Sequence, residues 1–317
     1  ASDTSFVTLT NSGTEVARLQ LTHSNPVMKN NENRFLTYGI GSASYEISSF
    51  DETLYSGNAE NKIYTGDVAS NGTYCLVTED NGYLTTLYAY SKNNNRIYKY
   101  SFSEYYITSV AINKDGSGCV ATGVSSDKGS AVTGVYVLDF SQEKPVSTYE
   151  ISGDSVLDCK YLTSDTAVLV GSQASYIVKK GEKNYKTVSY EDKTLSNYCF
   201  NTDTSTYTMA LSRSGDGRSV ALISYNSNGE AQYTINTEHK ADSLSVYKGT
   251  VAILDGNVVY GYNQNGDLLY STNSGTGSKK IVLASDYTAY ILSVNQIRFI
   301  DLDSVSSDDT AQTSKQE

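Results

Sequence analysis

The chain has no tryptophan, two prolines, two histidines and two methionines in 317 residues, and its four cysteines are scattered singly. Each scarcity excludes something. Without tryptophan, the Ser-x-Asp-x-Gly-x-Thr-Trp boxes of sialidases, the Trp docking motifs of quinone-dependent dehydrogenases and the Trp-Asp pair of intracellular WD repeats are all missing. Two histidines, His23 and His239, leave no Ser-His-Asp order and no strained G-x-S-x-G context for nucleophilic catalysis. No apolar run reaches the ~18 residues of a membrane-spanning helix. Basic blocks are missing too: 24 Lys and Arg stand against 35 Asp and Glu, a net charge of −11. No basic stripe exists to neutralise phosphates, so nucleic acid and anionic membrane surfaces are not expected partners.

Proline scarcity also carries positive information. Proline cannot donate to a β-ladder, and a chain made mostly of strands has little room for it. Counted with Gly and without Tyr, the apolar fraction is roughly 37%, below the usual ~45–50%. The core must therefore be completed by Tyr, present 28 times, and by Thr and Ser, residues that suit a pleated surface better than a helix. An all-helical fold is excluded.

One pattern repeats along the chain: a β-rich run, a Gly/Asp/Asn turn and a second β-rich run. Its copies include "VASNGTYCLVTE" (68–79), "VAINKDGSGCVATG" (110–123), "CKYLTSDTAVLVG" (159–171) and "IVLASDYTAYILS" (281–293). Asn71-Gly72, Asp115-Gly116, Asp165, Asp203, Gly249 and Asp286 mark equivalent turns, with Asn-Glu-Asn at 31–33 in a first copy. The spacing of roughly 36–47 residues is that of propeller blades. A second turn closes another hairpin later in the unit, as in "YNSNGEAQY" (225–233) and "YNQNGDLLY" (262–270). Asn-Gly between β-rich runs is a strong hairpin signal because both residues tolerate positive φ.

Each unit reads as four antiparallel strands, and the chain as one all-β domain over 1–303. The expected architecture is a seven-bladed β-propeller, with an eight-bladed one as alternative. Blades are expected at about 25–60, 61–104, 105–153, 154–193, 194–240 and 241–275, and a seventh from 278–302 with 5–21. Joining "EVARLQL" (15–21) to "QIRFIDL" (296–302) would close that last blade and bury Val16, Leu19 and Leu21. Three strands plus two make five where four are needed, so one end strand is surplus. The segment 304–317 has almost no apolar residue and is expected to be disordered.

Three segments carry a family resemblance: "NPVMKNNENRFLTYGIGSASYEI" (25–47), "VASNGTYCLVTEDNGYLTTLYAY" (68–90) and "SVAINKDGSGCVATGVSSDKGSAVTGVYVLDF" (109–140). They resemble an uncharacterised, domain-of-unknown-function family of Gram-positive bacterial proteins. Such proteins have an N-terminal membrane anchor and an extracytoplasmic propeller-like domain. After about residue 200 only the blade rhythm, of the general WD40-like or PQQ-like kind, persists. The resemblance implies architecture and an extracytoplasmic, tethered location; it brings no catalytic or binding residue.

Cys75, Cys119, Cys159 and Cys199 are 44, 40 and 40 residues apart, the blade repeat itself. Zinc ligands come in pairs two to four apart, so these read as small buried side chains, free rather than bridged, and no metal or other cofactor is expected. "NKDGSG" (113–118) imitates the start of a calcium loop, but position twelve is Val124 instead of glutamate, which makes it a strand turn. The tyrosines have a structural reading, filling wedge-shaped space, and a functional one, with Tyr105-Tyr106 or Tyr260 and Tyr262 as exposed contact clusters. The most variable loops are "EDNGY" (79–83), "VSSDKGSA" (124–131) and "SRSGDG" (212–217). Binding concentrates on variable loops of rigid scaffolds. Asp80, Tyr83, Asp127, Lys128, Arg213 and Asp216 are the candidate contact residues, with solvated loop tips as the plain alternative.

These readings point to a non-catalytic, monomeric binding or scaffolding module for a protein or other cell-envelope component. Two rivals stay open. A hydrolase or lyase acting on an envelope polymer needs converging carboxylates, and a small-molecule sensor needs a deep, mostly apolar pocket.

Overall fold

The computed structural model describes residues 5–10, 12–21, 25–213 and 218–302. Those residues form strands and turns and no helix. The chain divides into two compact units, Ala1–Thr10 with Glu15–Ser189, and Asn11–Thr14 with Tyr190–Glu317.

The first unit opens with a hairpin, β1 (Ser5–Leu9) and β2 (Glu15–Gln20). Four antiparallel sheets follow, each built from four consecutive strands in sequence order. The first comprises β3 (Pro26–Asn31), β4 (Arg34–Gly39), β5 (Ser44–Ser48) and β6 (Thr53–Asn58). The second comprises β7 (Ile63–Val68), β8 (Tyr74–Thr78), β9 (Thr85–Tyr90) and β10 (Arg96–Phe102). The third comprises β11 (Tyr106–Ile112), β12 (Gly118–Asp127), β13 (Ser130–Asp139) and β14 (Ser147–Ser152). The fourth comprises β15 (Val156–Tyr161), β16 (Thr166–Gly171), β17 (Ala174–Lys179) and β18 (Lys186–Ser189).

The second unit holds two more sheets of this kind. One is β19 (Thr194–Asn201), β20 (Thr206–Ser212), β21 (Val220–Asn226) and β22 (Ala231–Thr237). The other is β23 (Ser243–Tyr247), β24 (Thr250–Asp255), β25 (Val258–Tyr262) and β26 (Leu268–Asn273). The last sheet has three strands, β27 (Ser278–Leu283), β28 (Thr288–Ser293) and β29 (Ile297–Asp301). Every turn marked in the sequence, from Asn31–Asn33 to Asp286, joins the first two strands of a sheet, and both Asn-Gly turns join the third to the fourth.

The middle strands of each four-stranded sheet are buried on both faces, and the fourth strand alternates outward, as β6, β14 and β22 do. Within each unit, apolar surface of one sheet is covered by the next. Val77 and Ala89 of the second sheet pack with Val110 and Ala121 of the third. Val120 and Val135 of the third pack with Cys159 and Leu169 of the fourth. Burial of this kind stabilises by about 25 cal/mol per Å² of apolar surface. All four cysteines are free, three of them fully buried and Cys199 half-buried. Cys75 and Cys119, free as expected at repeat-equivalent positions, both lie in the core cluster formed by the second and third sheets.

The expected closure of the last sheet by the N-terminal hairpin does not occur as a ladder. Among the described residues β2 pairs only with β1, and β29 only with β28. The reason lies in the hairpin's apolar side chains. Phe6 and Leu21 are buried against Phe35 of the first sheet, with the Phe6 and Phe35 rings 4.9 Å apart, and Leu19 packs beside them. Val16, expected to be buried, is 56% exposed. The turn between β1 and β2 belongs to the second unit, where the Gly13 N–H donates to the Tyr290 hydroxyl at 3.1 Å. The segment 304–317 and His23 lie outside the described residues.

Candidate functional site

The loop residues singled out from the sequence differ in what they are free to do. Asp80 is occupied: one carboxylate oxygen accepts the Gly82 N–H at 2.8 Å and the other the Thr86 hydroxyl at 2.9 Å. These bonds hold its carboxyl below the usual carboxylate range. Tyr83, three residues on, is 51% exposed. Asp127 and Lys128 lie at the tip of the β12–β13 hairpin, where Lys128 and Gly129 both have positive φ and form a two-residue turn. Arg213 is exposed beyond β20, and its charge helps Lys193 hold Glu191 low. Asp216 lies outside the described residues. None of the described five lines either cavity considered below.

The β12–β13 hairpin is longer than its counterparts. The ladder from β11 ends at Val124 and that from β14 at Val132, while β12 and β13 continue pairing to Asp127 and Ser130. Residues 125–131 therefore project with no ladder on either outer side, and all are exposed. At the base of this finger lies an open groove of about 310 Å³ lined by Glu104, Tyr105, Tyr136, Tyr149 and Glu150. Its walls are fixed by their hydroxyls: Tyr105 donates to the Glu150 carboxylate at 3.0 Å and Tyr149 to the Glu182 carbonyl at 2.6 Å. Burial raises the Tyr105 and Tyr136 pKa values, helped by nearby glutamates, so both phenols stay neutral. The two tyrosine clusters noted in the sequence fare differently. Tyr105 is half-buried and lines this groove and Tyr106, at the start of β11, is exposed, whereas Tyr262 is buried with its hydroxyl on Thr237, and Tyr260 stacks 3.5 Å from the His239 ring.

A second cluster lies among first strands of the first unit. Lys29 on β3, Asp67 on β7 and Asp158 and Lys160 on β15 line a cavity of about 140 Å³, with Ser109 on β11 hydrogen-bonded to Asp158 behind it. Lys29 and Asp158 are 3.7 Å apart, and Lys160 and Asp67 are 3.9 Å apart. Asp158 accepts the Ser109 hydroxyl at 3.2 Å and the Cys159 N–H at 2.9 Å. Asp67 is 1% exposed, and one of its oxygens accepts the Ile112 N–H at 3.0 Å. Its other oxygen has no hydrogen-bond partner. Burial pushes the Asp67 carboxyl up, against the pull of Lys160, the Ile112 N–H and Lys29. Burial works against the Lys29 ammonium, yet Asp158 and Asp67 hold its pKa above the usual lysine value. Burial and the Asp158 charge push the Cys159 thiol up to about 12, which keeps it a poor nucleophile. No local motif announces this cluster in the sequence; its members are brought together only when successive sheets align their first strands.

The calcium-like segment is a strand turn. Asp115 is spent on the Ser117 N–H and hydroxyl, and Asn113 on the Gly118 N–H. Asn71, in a formal glycosylation sequon, donates its side-chain amide to the Asp115 carbonyl at 2.6 Å.

Successive four-stranded antiparallel sheets, each fourth strand followed in the chain by the first strand of the next, are the repeat of the WD40-like β-propeller fold. The C-terminal WD40 domain of Sif2 matches with a TM-score of 0.62 at 15% identity, over 95% of this chain and 83% of that one. Hsv2 from Kluyvelomyces marxianus matches with a TM-score of 0.59 at 9% identity, over 90% of this chain and 93% of its own. At such identities the likeness is one of fold. The chain belongs to the family of unknown function DUF5711, which is matched over residues 2–302. No curated protein matches its sequence.

Proposed function

We propose that this chain is a non-catalytic binding or scaffolding propeller that docks a protein or another cell-envelope component as a monomer. In this reading the six four-stranded sheets and the three-stranded one are seven blades, and the domain is carried outside the cytoplasm by an N-terminal anchor. The observation that carries the binding role is the projecting β12–β13 finger, whose residues 125–131 contribute no buried side chain. Such a finger is expendable for the core and available for contact, and the groove at its base adds three tyrosine walls and two glutamates. Among the described residues, no lysine or arginine forms an ion pair with Glu104 or Glu150, so the groove suits a basic side chain of the partner. Asp80, Tyr83, Asp127, Lys128 and Arg213, with Asp216, remain the proposed loop contacts.

The hydrolase reading requires carboxylates that a polymer can reach. Asp67 and Asp158 do converge, but Asp67 is 1% exposed and the cavity they line is about 140 Å³. A polymer chain does not enter such a space.

Site-specific photo-crosslinking tests the proposal. A photoreactive residue at Lys128 or Tyr149 should give a discrete adduct in cells, and one at exposed Leu268 should not. Equal labelling at all three positions, or at none, would show that the third sheet is not the docking face.

A further inference from the structure

The cavity among the first strands of the first unit has features that ion pairing within the protein does not account for. Its four charges balance, two ammoniums and two carboxylates, yet both pairs stand at 3.7 and 3.9 Å, beyond hydrogen-bonding distance. Neither ammonium makes a hydrogen bond to the protein among the described residues. A polar atom seated beside a contact this long can hydrogen-bond to both of its ends. The Asp67 oxygen that faces Lys160 is buried and has no hydrogen-bond donor, a state that costs a carboxylate far more than a paired one. Asp67, Lys29, Lys160 and Asp158 all line the same space of about 140 Å³. At ~30 Å³ per water that is room for about five non-hydrogen atoms.

We propose that this cavity binds a small zwitterion, an α-amino acid of glycine or alanine size. The ligand's ammonium donates to the unpartnered Asp67 oxygen and to Asp158, and its carboxylate accepts from the Lys29 and Lys160 ammoniums. A single-charge ligand would satisfy one pair of protein groups and leave the other unmatched. A divalent cation would face two ammoniums, and a long side chain has no space. The site thus selects for an ammonium and a carboxylate carried on one carbon. This inference is independent of the docking role of the third sheet, since no residue is shared.

Titration calorimetry on the full chain tests it, with glycine and alanine as probes and with acetate, methylammonium and leucine as controls. Glycine and alanine should bind saturably at 1:1, with a Kd no tighter than about micromolar, the efficiency ceiling for five or six atoms. Acetate and methylammonium should bind at least about 100-fold more weakly, and leucine should not saturate. Asp67→Asn and Lys29→Met should each weaken glycine at least tenfold. The ranking of probes on the unmodified protein does not depend on either variant folding. Absence of saturable glycine binding up to 10 mM overturns the proposal, with water then filling the cavity. Acetate binding as tightly as glycine also overturns it, and shows a simple anion held between two lysines.

Discussion

Tyr105 covers Gly134, so closely that a Cβ added to that glycine would stand 2.4 Å from the tyrosine ring. Gly134 faces Gly123 directly across the β12–β13 ladder, and a Cβ on Gly123 would meet the Tyr105 Cβ at 2.9 Å. The pair forms a bare floor on which the ring lies while its hydroxyl reaches Glu150. Gly134→Ala should therefore displace the ring and lower stability by about 1–3 kcal/mol. Tyr105→Phe, which keeps the ring and loses one exposed hydrogen bond, should cost less than about 1 kcal/mol. Urea midpoints measure both; an unmoved midpoint for Gly134→Ala would mean that the ring is not seated there.

The finger above this floor should behave oppositely. Lys128 adopts a left-handed conformation at φ 49°, which asparagine tolerates better than lysine. Gly129 has φ 85°, where any β-branched residue is strained. Lys128→Asn and Gly129→Val should still leave the global unfolding midpoint within about 0.5 kcal/mol, because neither neighbouring strand reaches residues 125–131. Hydrogen exchange should register the change locally, slower in Lys128→Asn and faster in Gly129→Val. A global loss above about 1 kcal/mol would place the finger within the cooperative core.

The contrast between these two features shows what can be read without coordinates. Asn71-Gly72, Asp115-Gly116 and Asp165 announce their turns because turn chemistry is local, and alternation in runs such as "STYEIS" marks an outer strand. Asp127 and Lys128 stand out in the sequence through the length and variability of their loop, and the two-residue turn at Lys128-Gly129 is seen only in the structure. Closure was not legible, because Phe6 and Leu21 could meet any apolar surface, and only packing reveals that they choose Phe35. Nor was the charged cavity: Lys29, Asp67 and Asp158 are far apart in sequence, and each reads alone as a strand residue with a solvated charge. Their common place on first strands was the available signal, hidden because the four repeats put different residue types there.

No sequence motif marks Asp154, yet it organises more backbone than any of the candidate contact residues. Its carboxylate accepts from the N–H groups of Ser155, Ser172, Gln173 and Ala174 and from the hydroxyls of Ser172 and Tyr176. Asp154 itself is 3% exposed, and Gly171 beside it has no room for a Cβ, which would lie 2.3 Å from a carboxylate oxygen. Asp154→Ala strands several buried donors at once and should cost about 3–5 kcal/mol. Asp154→Asn keeps the size but turns part of the acceptor into a donor, and should cost less. Chemical denaturation distinguishes the two, and a cost below about 1 kcal/mol for Asp154→Ala would show that water replaces the carboxylate readily.

Two other aspartates should give the protein opposite responses to pH. Asp139 donates nothing and accepts from Lys180 at 2.8 Å and from the Ser141 N–H and hydroxyl, which lower its pKa from 3.8 to about 2. A depressed folded pKa contributes stability above pH ~4 and loses it as pH falls toward 2. That contribution is about 0.5–1 kcal/mol, because the pair is near the surface and screened. Asp67 is raised by burial instead. The folded state then holds its proton more tightly than the unfolded chain, so stability is greatest below pH ~4 and declines as pH rises through the folded pKa. Asp139→Asn should remove part of the acid-side loss, and Asp67→Asn should flatten the decline above pH 4. Thermal unfolding at unit pH steps from 2 to 8 resolves both slopes. If Asp67→Asn leaves the slope between pH 4 and 7 unchanged, the Asp67 carboxylate is ionised in the folded protein as readily as in the unfolded chain, and Lys160 and Lys29 fully offset its burial.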